Sequence, residues 1–207
     1  MAYKVVIAED FKMIRDVFTG IVENSDEFVL EQTFDNAEAA VKYLKGNRVD
    51  LFLTDVLFPG GISGLDASKL VKEANPNIKI LIVTSMPELS YMRQAKEIGI
   101  DSFWYKEVQD SPLLDVMKRT MAGESVYPLT APKVALGDIF STDLTDREVD
   151  VLRELVSGAS NKEIADTLNI AENTVKMHLA NMLRKTGFKT RLELAVKARH
   201  VGVAIKD

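Results

Sequence analysis

The sequence predicts a doubly wound α/β domain on a five-stranded parallel sheet, followed by an all-α domain of four helices. Three observations carry this expectation. Short apolar runs alternate five times with amphipathic stretches over residues 1–122. The alternation lapses over residues 123–142, where Pro128, Pro132 and Gly137 break any periodicity. Beyond that point every pattern is helical and three helix starts are marked. Parallel neighbours need helical crossovers, so the first pattern implies a parallel sheet with helices on both faces. The chain therefore divides into a first domain (1–122), a linker (123–142) and a second domain (143–207).

The expected strands are 4–8, 28–34, 49–54, 78–84 and 101–105, each short and rich in Val, Ile, Leu and aromatics, as strands buried on both faces are. Helical patterns fill 11–24, 36–46, 64–75, 88–99 and 112–122. The linker reads as irregular, with a short helical turn. In the second domain, capping boxes mark three starts, Thr145/Glu148, Ser160/Glu163 and Thr190/Glu193, and Leu144 with Val149 adds a hydrophobic staple to the first. Helices are expected at 146–157, 161–168, 172–186 and 191–204.

Composition narrows the function classes. The 207 residues are 46% hydrophobic and 28% charged, too apolar for a disordered chain. There is no cysteine, so disulfides, iron-sulfur clusters and cysteine-built zinc sites are excluded, and the two histidines, His178 and His200, are too few for a histidine-rich metal centre. A reducing, cytoplasmic setting is expected. The N-terminus shows no basic leader or apolar signal core, and no run of eighteen apolar residues exists, so neither export nor a membrane partner is expected. The net charge of -5 is unevenly spread: residues 171–207 hold 8 Lys and Arg against 3 Asp and Glu. Charge alone leaves open whether that basic block is a solvated tail or meets an anionic partner.

In an open parallel sheet the ligand site lies beyond the carboxyl ends of the strands. Glu9 and Asp10 end the first strand, Asp55 the third, Thr84 and Ser85 the fourth and Lys106 the fifth. Three carboxylates about 4 Å apart repel by about 4 kcal/mol per pair at an effective dielectric near 20, so the cluster invites a cation. With oxygen ligands only, Mg²⁺ is expected. Lys106 and the Thr84 hydroxyl are then suited to hold phosphoryl oxygens. Asp55 is the candidate nucleophile, being central in the sheet and followed by the open turn Phe58-Pro59-Gly60-Gly61. Taken singly each residue is an ordinary strand end; their placement on four separate ends carries the reading.

The set Glu9-Asp10, Asp55-Val-Leu-Phe-Pro59-Gly, Thr84-Ser85 and Phe103-Trp-Tyr-Lys106 resembles the flavodoxin-like receiver domain of two-component response regulators across residues 1–122. The resemblance implies that Glu9, Asp10, Asp55 and the Leu57 carbonyl hold Mg²⁺. It implies that Asp55 accepts a phosphoryl group from a sensor histidine kinase, and that Thr84 and Lys106 contact that group. It also implies that Phe103 reorients on activation, and that the only reactions are the domain's own phosphorylation and dephosphorylation. Three departures stand out: Glu9 where the family often has Asp, a loop 59–64 one residue longer than the commonest form, and Glu107 in place of a proline.

In the second domain, 161–168 and 172–186 have helix-turn-helix proportions. On a helical wheel Val175, Leu179, Met182 and Leu183 form the core side, whereas Asn173, Met177, Ala180, Asn181 and Arg184 lie opposite, flanked by Lys176. Amides and cations on that side suit base edges and phosphates, and the wheel alone equally allows a helical bundle with a solvated lysine face. The series Leu144-Thr-Asp-Arg-Glu148, Gly158 to Ala165, Thr174-Val-Lys-Met-His178 with Asn181, and Lys185-Thr-Gly187 through Thr190-Arg191 resembles the LuxR-type (NarL/FixJ) DNA-binding domain. It implies that Lys176 and Met177 face the groove of double-stranded DNA, at a two-fold symmetric promoter site, with Lys162, Thr174 and His178 on the backbone. Ala171 lacks the usual capping hydroxyl, and Ala180 is too short to read a base.

The last helix carries two apolar stripes. Leu192, Val196 and Val203 are expected to pack on the domain, and Leu194, Ala198, Val201 and Ile205 to pair with a second copy in a homodimer formed on activation. Simple burial of the second stripe is the alternative. The function expected is a DNA-binding response regulator that alters transcription. One rival is an aspartyl-nucleophile phosphatase, against which Leu57 stands where such enzymes place an acid; another is a receiver serving as an unphosphorylated dimerisation module.

Overall fold

The computed structural model describes residues 2–106 and 112–204. Two compact units are present, Met1–Ser85 with Tyr91–Leu129, and Met86–Ser90 with Thr130–Asp207.

The first holds a five-stranded, wholly parallel sheet in the order β2-β1-β3-β4-β5, built from β1 (Tyr3–Ala8), β2 (Phe28–Phe34), β3 (Leu51–Thr54), β4 (Lys79–Thr84) and β5 (Ser102–Tyr105). The helices are α1 (Lys12–Glu23), α2 (Ala37–Gly46), α3 (Gly64–Ala74), α4 (Leu89–Ile98) and α5 (Leu113–Met121). Successive strand residues point to opposite faces. Val5, Ile7, Leu51, Leu53, Leu81 and Val83 therefore share one face with Phe18 and Val22 of α1 and Val116 and Met117 of α5. Val6, Phe52, Ile80, Ile82 and Phe103 alternate with them and are equally buried on the other. Two covered faces explain the continuous apolar runs.

The strands are in register at their carboxyl ends, with Ala8 opposite Thr54 and Thr84 opposite Tyr105. Backbone bonds carry the ladder one residue further, from Asp55 N–H to the Ala8 carbonyl (3.0 Å) and from Lys106 N–H to the Thr84 carbonyl (2.9 Å). That shared register brings distant residues to one edge. Gly64 is obligatory behind it, since a Cβ there would stand 1.7 Å from the Asp55 carbonyl oxygen.

Residues 123–142, expected as an irregular connection, are more ordered. After α5 the chain lies along the free edge of β5: Phe103 N–H donates to the Val126 carbonyl (2.9 Å), Val126 N–H to Ser102 Oγ (3.1 Å) and the Tyr127 hydroxyl to the Ile100 carbonyl (2.9 Å). In the second unit Ala135–Leu136 (β6) and Ile139–Phe140 (β7) form a hairpin. Its turn needs Gly137, whose φ is 65° and whose Cβ would stand 2.0 Å from the Thr186 carbonyl. A 3₁₀ turn, Ser141–Asp143, follows, as the sequence suggests.

Four helices complete the second unit: α6 (Asp146–Val156), α7 (Asn161–Leu168), α8 (Glu172–Thr186) and α9 (Arg191–His200). Both residues of the boxes Thr145/Glu148 and Ser160/Glu163 bond reciprocally. The third closes only halfway: Thr190 Oγ1 accepts from Glu193 N–H (3.1 Å), but the Glu193 carboxylate turns to Lys189 N–H (2.9 Å). Leu144 and Val149 are buried in one cluster, as a staple requires.

The last helix overturns the expected stripes. Leu194 and Ala198 are fully buried in the core with Val203, so they are not a surface for a second copy; Leu192 and Val196 are 71% and 57% exposed. Val201 is half-buried against the same core, and Ile205 lies outside the described residues. The helix stops at His200, four residues before the expected end, and Gly202 (φ 74°) turns the chain. The register of a longer helix therefore does not extend to 201 and beyond.

Candidate functional site

Glu9, Asp10 and Asp55 meet at the carboxyl edge of the sheet, each offering an oxygen within 4.8 Å of the others. Lys106, from the end of β5, reaches across: its Nζ donates to Glu9 Oε2 (2.7 Å) and to Asp55 Oδ2 (2.6 Å). Glu9 is 1% exposed and also accepts from Phe11 N–H through Oε1 (3.3 Å). The Asp55 side chain is 13% exposed, so its carboxylate is held yet approachable, with Oδ1 accepting from Val56 N–H (2.5 Å). Asp10 is exposed at the rim.

Burial and the neighbouring Asp55 charge push the Glu9 carboxyl above its ordinary range, against the pull of Lys106. For Lys106 burial works to lower the pKa, but the Asp55 and Glu9 charges outweigh it and hold the ammonium above its ordinary value. Three hard carboxylates with one shared cation fit a small divalent ion such as Mg²⁺, whose ligands are oxygens only.

Thr84 is fully buried at the end of β4, its carbonyl bound by Lys106 N–H. Leu57 is half-buried in the loop after Asp55. Phe103 is buried, edge-on to Tyr105 (5.1 Å between centroids) and stacked with Tyr127 (6.1 Å). Glu107 lies outside the described residues. The long loop after Asp55 is anchored by a bond the sequence did not reveal, from Ile62 N–H to Glu38 Oε1 (2.7 Å). A second residue missed by sequence reasoning is Arg15. From α1 its Nη1 donates to the carbonyls of Glu9 (2.5 Å) and Asp10 (3.2 Å). Its only sequence signal is an arginine five residues after the acid pair, in the second turn of the helix that follows.

In the second unit α7 and α8 are joined through Asn169, which adopts the left-handed conformation (φ 51°). Ala171 caps α8 without a side-chain bond, as its lack of a hydroxyl dictates. Val175, Leu179 and Met182 are buried and Leu183 packs partly against the same core, so the opposite face is presented outward. Asn173, Lys176, Met177, Ala180 and Arg184 are exposed there, Met177 by 53%, and Thr174, His178 and Asn181 are half-buried at its margins. Lys162 is exposed on α7. Lys176 pairs with Glu172 one turn back (3.0 Å). No described helix is long and apolar enough to cross a membrane.

Residues 5–118 match the profile of the response regulator receiver domain, and residues 142–198 that of bacterial regulatory proteins of the luxR family. The chain is 30% identical over 199 residues to the fimbriae Z protein of Salmonella typhimurium, covering 92% of this chain and 93% of that one. It is 27% identical over 218 residues to the transcriptional regulatory protein LnrK of Bacillus subtilis, covering 98% and 99%. Its fold is similar to RcsB of Salmonella enterica serovar Typhimurium bound to promoter P1flhDC with a phosphomimetic (TM-score 0.64, 20% identity, 95% and 98% covered). It is similar also to RcsB in two dimers on two parallel DNAs (TM-score 0.62, 19% identity, 97% and 100% covered). A receiver sheet edged with acids and a lysine, joined to a luxR-type helix-turn-helix, makes this chain a DNA-binding response regulator of a two-component system.

Proposed function

We propose that a sensor histidine kinase phosphorylates this chain on Asp55 in the cytoplasm, and that phosphorylation switches its dimerisation and promoter binding. The observation that carries the reading is Lys106 bridging Glu9 and Asp55 at the carboxyl edge of the sheet. Glu9, Asp10, Asp55 and the Leu57 carbonyl would hold Mg²⁺, which when bound neutralises charge on phosphoryl oxygens. An Asp55 oxygen attacks phosphorus, the P–N bond of the donor phosphohistidine breaks, and its electron pair returns to the imidazole. Lys106 and the Thr84 hydroxyl then hold the phosphoryl oxygens, and attack of water on phosphorus later restores the carboxylate. Phe103, buried between Tyr105 and Tyr127, responds to the movement of Thr84. Asp55→Asn is expected to abolish Mg²⁺-dependent labelling by a small phosphodonor; undiminished labelling would remove Asp55 from the role.

The output reading rests on the outward face of α8. Lys176 and Met177 enter the major groove there, with Asn173, Asn181 and Arg184 beside them and Lys162, Thr174 and His178 on phosphates. Two copies pair through the exposed Leu192 and Val196 of α9; the dimers of RcsB on DNA support pairing as such, and the exposure of these two apolar residues supports its place. Leu192→Lys combined with Val196→Glu should leave the fold intact but weaken binding to a two-fold symmetric site. Unchanged affinity and oligomeric state would exclude that pairing.

A further inference from the structure

We propose that Arg15 is a positioning residue for the acidic pocket, holding the Glu9 and Asp10 peptides so that both carboxylates converge with Asp55 on the metal. This rests on the reading of Glu9, Asp10 and Asp55 as a metal and phosphoryl site.

Chain geometry calls for such a device. At Glu9 the chain leaves β1, still tied to β2 by Glu9 N–H on the Phe34 carbonyl (3.0 Å), and within two residues it must start α1. Helix starts are usually fixed by a capping side chain, but Phe11 occupies the N-cap of α1 and supplies none. Within this turn, which carries two of the three carboxylates, Phe11 N–H donates to Glu9 Oε1 (3.3 Å), but no capping bond sets the direction of the two carbonyls. Arg15 provides one from outside: a single Nη1 donates to both carbonyls, at 2.5 Å and 3.2 Å. Because peptides are planar, the direction of a carbonyl fixes ψ of its own residue and thereby the path between the two Cα atoms that bear the acids. Helix electrostatics do not explain the arginine, since cations are disfavoured near a helix N-terminus and the first turn of α1 has no acid. A guanidinium suits the task because it stays charged and donates in a fixed planar fork.

The positioning role and a purely electrostatic one predict opposite signs. A cation beside a metal site repels the metal, so neutralising it would tighten Mg²⁺ binding if charge were its whole effect. Loss of positioning weakens binding instead, by about tenfold for a residue acting on the ligands rather than on the ion. The test is calorimetric titration of the full-length chain with Mg²⁺ in wild type, Arg15→Gln and Arg15→Lys, alongside thermal melting without metal.

The expected result is an Mg²⁺ dissociation constant raised about tenfold in Arg15→Gln and by less in Arg15→Lys, which keeps the charge but not the fork. The Mg²⁺ concentration for half-maximal labelling should rise by the same factor, with the rate at saturating Mg²⁺ within about twofold of wild type. An unchanged or lowered dissociation constant in Arg15→Gln overturns the proposal, as does a lowered melting temperature with Mg²⁺ affinity intact. If Arg15→Gln does not fold, Arg15→Lys decides alone, and wild-type affinity in that variant overturns the proposal. Asp55→Asn, read by labelling, separates the two readings: a wild type that binds Mg²⁺ but is not labelled on Asp55 sinks the phosphorylation reading, while the Arg15 titrations still decide this one.

Discussion

Two acids of the first unit, buried Glu9 and half-buried Asp101, are shifted in opposite directions from their ordinary ionisation range. Asp101, just before β5, is pushed up by burial, but Lys72 Nζ (2.7 Å), Lys79 Nζ (2.8 Å) and Ile80 N–H (2.9 Å) outweigh this and hold it low. A lowered carboxyl contributes stability above its ordinary value of 3.8, lost as pH falls through the folded-state value. Asp101→Asn should cost about 3 kcal/mol at neutral pH, since it strands two partly buried ammonium groups, and the gap to wild type should narrow in melts below pH 4. Glu9 behaves the other way. Its carboxyl is raised in the fold by burial and the Asp55 charge, so the unfolded chain gives up this proton at lower pH than the fold, and stability falls as pH rises from 4.5 through the folded-state value. Glu9→Gln should therefore melt higher than wild type at neutral pH, by about 2–4 °C per kcal/mol recovered, with the gain shrinking below pH 4.5. A lower melting temperature for Glu9→Gln would mean that its bond to Lys106 outweighs the repulsion. The two melts are thus expected to differ in sign, with Asp101 favouring the fold and Glu9 costing it stability for the sake of the pocket.

At the scale of elements, what could be read in the sequence follows from how local the deciding interaction is. The strands show as apolar runs because both sheet faces are covered, and the pocket acids and lysine show because strand ends converge by topology alone. The two closed capping boxes are equally local, and Ser160→Ala should cost about 1 kcal/mol by removing the acceptor for Glu163 N–H. Arg15 stayed hidden because its partners are backbone carbonyls, which carry no sequence signature, and Glu38 because its loop partner lies 24 residues away. In α9 the failure was of another kind. Apolar residues on two sides give the wheel no preference, and only packing against the rest of the domain selects Leu194 and Ala198 over Leu192 and Val196. The outward face of α8 was legible because its buried side is unambiguous. Lys176→Ala is expected to weaken binding about equally across DNA sequences and to reduce the salt slope by about 1, measured as log K against log salt. A loss confined to one base position would instead make Lys176 a base reader.

For the whole molecule, charge is divided as the work is: the net charge is -5, yet the last 37 residues are basic. Binding of the full chain to promoter DNA should therefore fall with salt, by about 0.9 in log K per log unit for each phosphate contacted. The stretch between the two family matches also matters. An exposed sheet edge is a template for pairing with other chains. Here residues 124–127 run along β5, taking up the Phe103 N–H and the Ser102 hydroxyl, with Tyr127 seated on Phe103 and under Lys96. A receiver shortened at Ala122, where α5 ends, loses this hem. It would leave the border of its sheet bare, and aggregate at concentrations where the same domain carried through to Leu129 stays monodisperse.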